Sequence, residues 1–380
     1  MFLLKLAVKI LLHDCTKTLA CLAGVSFSVC LVMVQRGIQH GAIGSSADAI
    51  EHAAADLWVL PKGTLNFDSS TALPEGAEYL VRSTAGVERV ETLIVSFADW
   101  RLPTGGKQSV QVIGFEADGV LFRPWKVDRG DVLDLRPDRT VFIDRNDCSR
   151  LHVNDVGAGS EIGSKMLQPM QARVVGLTHG IRTLHSCPIV FTNVKNARAY
   201  VHFTERKSSF LLVRVAEGCD ANAIRKSIET DVPFVECLTQ EEFSARTRKH
   251  WDERTGIGVI LTVTALMSVL IGVGVLGMLQ YLSTLEQIHE YAMLRALGTP
   301  NRRVVGLIAV QGLFLGVSGF GVGVGLTALT ELGLNGRVNM VVTGAIIREV
   351  FFGSLILSVG VSLFCAIKVL LTNPALVFKA

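Results

Sequence analysis

Charge is missing from four long parts of this chain. Thr18–Gln35, Thr255–Leu285, Val304–Thr330 and Val350–Ile367 contain no Asp, Glu, Lys or Arg. Each holds about 18 residues or more, which at about 1.5 Å per residue crosses an apolar layer of about 30 Å. That absence excludes an ordinary soluble surface over these stretches. The runs also lack His, whereas ion-coupled carriers and channels ordinarily place ionisable groups in the membrane to relay or coordinate charge. Energy for any transport must therefore be delivered from elsewhere.

Other absences narrow the function further. Net charge is only +3, and no Lys/Arg cluster is dense enough to track phosphates, so nothing suggests a nucleic-acid partner. There is no G-x-x-x-x-G-K-[ST] loop to cradle nucleotide phosphates, and no H-E-x-x-H, C-x-x-C or G-x-S-x-G signature. The chain offers no catalytic residue and no cofactor site of its own. His179, His185 and Cys187 bring ligand-type side chains close in sequence, but their spacing fits no standard metal pattern, and a solvated loop is the simpler reading. Cys15, Cys21, Cys30 and Cys365 lie in or near the apolar runs and read as small apolar residues. Cys148, Cys187, Cys219 and Cys237 are irregularly spaced; free thiols are the default reading, with a disulfide left open.

What is present is a membrane protein with a large soluble insertion. Mean hydropathy is +0.41, above that of ordinary soluble domains, yet 37 Lys and Arg with 34 Asp and Glu are too many for a pure membrane bundle. The predicted fold class is an α-helical membrane protein of four transmembrane helices with a mixed α/β extracytoplasmic domain between helices 1 and 2. The spans are placed at residues 18–38, 255–285, 304–330 and 350–371. The domain fills 39–254, a loop 286–303, a short outer loop 331–349 and a tail 372–380. Lys5, Lys9, Lys17, Arg295, Arg302, Arg303, Lys368 and Lys379 sit on short flanks, and the positive-inside rule puts those flanks and both termini in the cytoplasm. Residues 1–17 are no signal peptide, because the apolar core is too long and Met33–Arg36 is no small-residue cleavage site. Lys5, Lys9, His13 and Lys17 recur every fourth residue, which predicts an amphipathic helix on the cytoplasmic leaflet, the alternative being a charged extension of the first span.

Within the insertion, β-rich runs fall at Asp56–Leu60, Leu93–Phe97, Val110–Phe115, Val141–Asp144, Arg173–Leu177 and Ile189–Thr192. Phe210–Val215, Asp220–Thr230 and Val232–Glu236 read as strand, helix, strand. Thr239-Gln-Glu-Glu242 is a capping box opening a helix that is predicted to run unbroken through Arg254 into the second span. Gly37–Ala55 is predicted to extend the first span, giving two helical stalks. Gly105-Gly106 and Pro137-Asp138 mark turns.

Glycine is dense in the spans: Gly272, Gly274 and Gly277 in the second, and in the third the GxxxG pairs Gly312/Gly316, Gly319/Gly323 and Gly321/Gly325. Such pairs let helices approach closely, within a bundle or across a dimer. Between the second and third spans lies Glu286-Gln-Ile-His-Glu290-Tyr291-Ala292-Met293-Leu294-Arg295-Ala296-Leu297-Gly298-Thr299-Pro300. Met293, Leu294 and Leu297 form an apolar ridge on a short helix, Gly298 stops it, and Pro300 lies beyond. A short helix with an apolar ridge at a membrane face suits insertion into a partner's groove.

This loop resembles that of the MacB/FtsX-like superfamily of ABC transporter permeases, which carries R-E-[IY]-[GA]-x-[LM]-[RK]-A-[LI]-G. Glu290, Ala292, Leu294, Arg295, Ala296, Leu297 and Gly298 match it position by position, while His289 stands where a basic Arg or Lys is common. Ala55-Asp-Leu57, Val95-Ser-Phe-Ala-Asp-Trp100 and Val112-Ile-Gly-Phe115 resemble the DevC-type branch. The resemblance implies a non-enzymatic bacterial inner-membrane permease with its large domain in the periplasm. It implies a homodimer with two copies of a separate ATPase, which binds the ATP and Mg, and coupling through Glu290, Tyr291, Met293, Leu294, Arg295, Leu297 and Gly298. It further implies export by mechanotransmission within a tripartite assembly containing a periplasmic adaptor and an outer-membrane channel. The alternatives are an adaptor-independent haem or amphiphile exporter, a lipoprotein-releasing permease, and an FtsX-like regulator of a cell-wall hydrolase.

Overall fold

The computed structural model describes residues 15–371 apart from 70, 155, 164–168, 183, 185–186, 202, 204–206 and 335–337. The amphipathic helix expected over residues 1–17 and the tail expected at 372–380 lie almost wholly outside the described residues. The chain divides into two units: Ala42–Gly258, and a helical unit from the segments that flank it, up to Gly41 and from Val259.

The first unit is mixed α/β. Its strands are β1 (Leu57–Pro61), β2 (Val87–Arg101), β3 (Lys107–Phe115), β4 (Val127–Arg129), β5 (Thr140–Asp144), β6 (Gly159–Gly163), β7 (Met170–Thr178), β8 (Ile189–Asn193), β9 (Phe210–Val215) and β10 (Val235–Thr239). They follow the order β10-β1-β9-β2-β3-β8-β5-β7-β4. Strand β2 serves two neighbourhoods. Its first half pairs with β9 and its second half with β3, so one long strand joins two sub-sheets. Strand β6 pairs with both β2 and β7, which closes the pairings β2-β3-β8-β5-β7-β6 into a ring.

Period-two alternation fills that ring. Ile94, Ala98 and Trp100 of β2, Val110 and Val112 of β3, and Val141 and Ile143 of β5 share one buried cluster. The intervening side chains Leu93, Val95, Ile113, Phe142 and Phe191 turn to a second core, which includes Trp58, Phe67, Phe210 and Phe243. There Phe67 stacks on Phe210 at 5.6 Å and Trp58 meets both rings edge-on, the geometry aromatic quadrupoles favour. A third cluster sets Ile224 and Ile228 of the helix Ala221–Asp231 against Val59, Leu211 and Val213.

Three local expectations are corrected. The last strand begins at Val235 rather than Val232, because Val232 ends the preceding helix and Phe234 sits at φ 65°, making the turn after Pro233. The first-span helix ends at Ser45, where Ser45 and Ser46 hydroxyls donate to the carbonyls of Ala42 and Ile43; only the short helix Asp48–Glu51 follows. The stalk before the second span is not continuous either. Thr239 caps Gln240–Lys249 as expected, a π-turn follows at His250–Arg254, and Thr255 is extended before Gly256 opens a new helix. The doubling back is tight: a Cβ on Gly258 would overlap the Asp252 carbonyl.

The two ends of this unit are tied together. The Gln240 amide donates to the carbonyls of Ile50, Glu51 and Ala53, and Ser244 and Arg248 both engage the Glu51 carboxylate.

Among the described residues four helices, centred in the helical unit, are long and apolar enough to cross a membrane: Cys15–Ser45, Gly256–Glu286, Asn301–Leu334 and Gly344–Leu371. The first, third and fourth are longer than the charge-free runs that announced them, and the second, at 31 residues, equals its run in length.

Candidate functional site: the loop helix and its seat

Between the second and third spans the chain forms the helix Ile288–Ala296. Its end is a Schellman motif: the Thr299 N–H donates to Leu294 O and the Gly298 N–H to Arg295 O, with Gly298 at φ 85°. A side chain at Gly298 would be strained, so this residue sets the point where the chain leaves the helix.

The helix has two faces. Tyr291 (1% exposed) and Ala292 are buried, and Tyr291 packs with Val304, Leu307, Ile308 and Ala366. Leu294 is half-buried against the same cluster, and the half-buried Arg295 donates to the Leu370 carbonyl at 3.4 Å. On the opposite side Met293 (57%) and Leu297 (78%) are exposed at i, i+4 with Glu290 beside them. The expected ridge of Met293, Leu294 and Leu297 is therefore divided. Tyr291 and Leu294 hold the helix down, and the outward apolar surface is Met293 and Leu297.

Tyr291 also carries the polar link to the spans. Its phenol oxygen lies 2.7 Å from Gln287 Oε1 and 2.8 Å from Gln311 Oε1. One hydroxyl donates one hydrogen, and the Gln311 Nε2 is otherwise without a partner. Turning the Gln311 amide by 180° satisfies both groups: Tyr291 donates to Gln287 and accepts from Gln311. Burial pushes the phenol above its ordinary pKa, so it stays neutral and keeps its proton. Nearby, Ser362 of the fourth span donates to Gln280 of the second at 3.0 Å, so polar contacts link the spans close to the loop helix.

The glycines of the third span face two directions. A Cβ on Gly312 would overlap Ser362, and one on Gly316 would crowd Ser358, both on the fourth span. A Cβ on Gly319 or Gly323 would overlap Val25 or Val29 of the first span. One GxxxG pair thus seats each neighbour. Gly321 and Gly325 have nothing within 4 Å and mark an open face.

Among the described residues no group of three or more His, Cys, Asp or Glu could hold a metal ion; His185 lies outside them. Cys219 and Cys237 are free thiols. Sequence reading missed the inward role of Tyr291 and its partner Gln311; a lone Gln within a charge-free span was the available signal.

Comparison with known proteins identifies both parts of the chain. The family described as the MacB-like periplasmic core domain matches residues 18–231, and the FtsX-like permease C-terminal family matches residues 262–374. Among solved structures, the periplasmic region of MacB from Actinobacillus actinomycetemcomitans is similar at 10% identity and TM-score 0.36, covering 51% of this chain and 93% of that one. The extracellular domain of the ABC-type transporter YknZ from Gram-positive bacteria is similar at 13% identity and TM-score 0.35, covering 49% and 99%. A search of curated proteins finds no match.

Proposed function

Because the chain belongs to the MacB/FtsX-like superfamily of ABC transporter permeases, we propose that it is the membrane subunit of an ATP-driven exporter working by mechanotransmission. Two copies of the chain pair with two copies of a separate ATPase, which holds ATP and Mg. The loop helix Ile288–Ala296 lies in the cytoplasm and enters the ATPase groove with Met293 and Leu297, while Glu290 and Arg295 lie at the rim. Movement of the ATPase reaches the third span through Tyr291 and Gln311, and the α/β domain moves in the periplasm. The DevC-type motifs favour a tripartite assembly in the inner membrane, with a periplasmic adaptor and an outer-membrane channel.

The observation that carries this reading is the two-sidedness of the loop helix. A solvated turn has no cause to present Met293 and Leu297 outward while pinning the opposite side by packing and hydrogen bonds. Leu297→Asp puts a carboxylate into the proposed groove, where desolvation without a partner costs several kcal/mol. Co-purification of the ATPase with the full-length permease is expected to be lost in Leu297→Asp and Met293→Asp, with insertion and dimerisation retained. Arg295→Glu reverses a charge at the rim and also removes the hydrogen bond to the Leu370 carbonyl, so it costs about 1 kcal/mol or more and weakens the complex with a changed salt dependence. Wild-type ATPase binding by Leu297→Asp and Met293→Asp would remove the assignment. Leu294→Asp is a poor probe, because Leu294 packs against the permease itself.

A further inference from the structure

The first, second and fourth spans line a cavity of about 400 Å³ that is open along one side. Its walls are aliphatic, with Val25 and Val29 from the first span, Leu266 and Val269 from the second, and Val350 and Leu357 from the fourth. One end is charged. Arg36 Nη2 donates to both Glu349 oxygens, at 3.1 and 3.0 Å, and Arg36 Nη1 to Gln39 Oε1 at 3.2 Å. The side chains of Arg36 and Glu349 stay 39% and 60% exposed, so each can reach a further partner. From Val25 to Arg36 the first span rises about 16 Å at about 1.5 Å per residue, close to half of the roughly 30 Å hydrocarbon thickness. The cavity has the length of one leaflet, the lining of a hydrocarbon chain and an ion pair at headgroup level.

We propose that this cavity binds one acyl chain of a membrane amphiphile whose head carries both an acidic and an ammonium group, the acid meeting Arg36 and the ammonium Glu349. Charge complementarity selects this occupant. Volume and lining match those of small-molecule sites. The inference rests on the permease reading and names the class of molecule that the permease takes from the bilayer.

The test is native mass spectrometry of the full-length chain in nonionic detergent, titrated with lysophosphatidylethanolamine or with an uncharged monoacylglycerol of equal chain length. The expected result is one bound lysophosphatidylethanolamine per chain and several-fold weaker binding of monoacylglycerol. Arg36→Gln removes that preference. Gly353→Leu and, from the facing helix, Ala265→Leu fill the cavity and weaken both probes by about tenfold or more. Gly353 has open space where a side chain would go, so that variant is expected to fold, with circular dichroism as the check. Equal binding of the two probes by the unaltered chain, or unchanged binding by both filled variants, overturns the proposal. So does efficient cross-linking between copies through Leu266→Cys that lysophosphatidylethanolamine does not compete, since a second copy would then occupy the cavity. No ATPase is present in this measurement. Its failure leaves ATPase docking untouched, and failure of docking at Leu297 leaves the binding result standing.

Discussion

The α/β domain and the helical unit solve the packing problem with opposite materials. The domain fills its cores with Trp58, Trp100, Phe142, Phe191 and Phe210, all fully buried. The helical unit joins its spans where side chains are smallest, at Gly312 against Ser362 and Gly319 against Val25. In water, removing large apolar surface supplies the driving force. Among lipid chains that force is absent, so close approach and interhelical hydrogen bonds take its place. A large residue is thus the stabilising element in one region and the disruptive one in the other.

Four substitutions test that contrast, and the largest effect belongs to the aromatic core. Trp58→Ala should destabilise the α/β domain by about 3–5 kcal/mol, because the ring contacts Phe67, Phe210 and Phe243 and leaves a cavity. All four tryptophans lie in this domain, so fluorescence of the remaining three follows its unfolding in the full chain. Next comes Gly312→Leu, which drives a side chain into Ser362 and the Ser358 carbonyl and should cost about 1–3 kcal/mol as overpacking. Thermal unfolding in detergent should drop while tryptophan fluorescence at low temperature is unchanged; a neutral result would mean the third and fourth spans are not packed through this glycine.

Tyr291→Phe keeps the ring and removes the hydroxyl, leaving Gln287 and Gln311 short of a partner. Its expected cost is about 1 kcal/mol, with ATPase binding retained and stimulation of hydrolysis reduced. Equal loss of binding and stimulation would assign Tyr291 to the docking surface instead. The smallest effect is expected for Gly321→Ala on the open face, between neutral and slightly stabilising in detergent, since Ala is the better helix former. A large loss of dimer would show that this face is covered by the second copy.

The domain was legible wherever alternation was strong. Val110–Phe115 and Val141–Asp144 read as strands because every second residue faces the ring interior. Strand β6 (Gly-Ser-Glu-Ile-Gly) has no such signal; pairing on both sides with β2 and β7 imposes its conformation. Thr239 and Glu242 announced their helix start correctly because a capping box is local chemistry. The same locality explains the stalk error: a capping box marks where a helix starts and carries nothing about its end, while the break is set at Thr255 and Gly258 by backbone approach. At the loop helix the sequence identified the right segment but not its inner side. Tyr291 matches a motif position equally well whether it faces a partner or Gln311, and only the packing of the third span distinguishes them.

The most direct measurement places a photo-crosslinking residue singly at Met293, Leu297, Tyr291 and Gly321 of the full-length permease co-expressed with its ATPase. Crosslinks to the ATPase from positions 293 and 297, with none from 291 or 321, are what a two-sided coupling helix predicts. Crosslinks from 291 in place of 297, or from none of the loop positions while the ATPase still co-purifies, would contradict it.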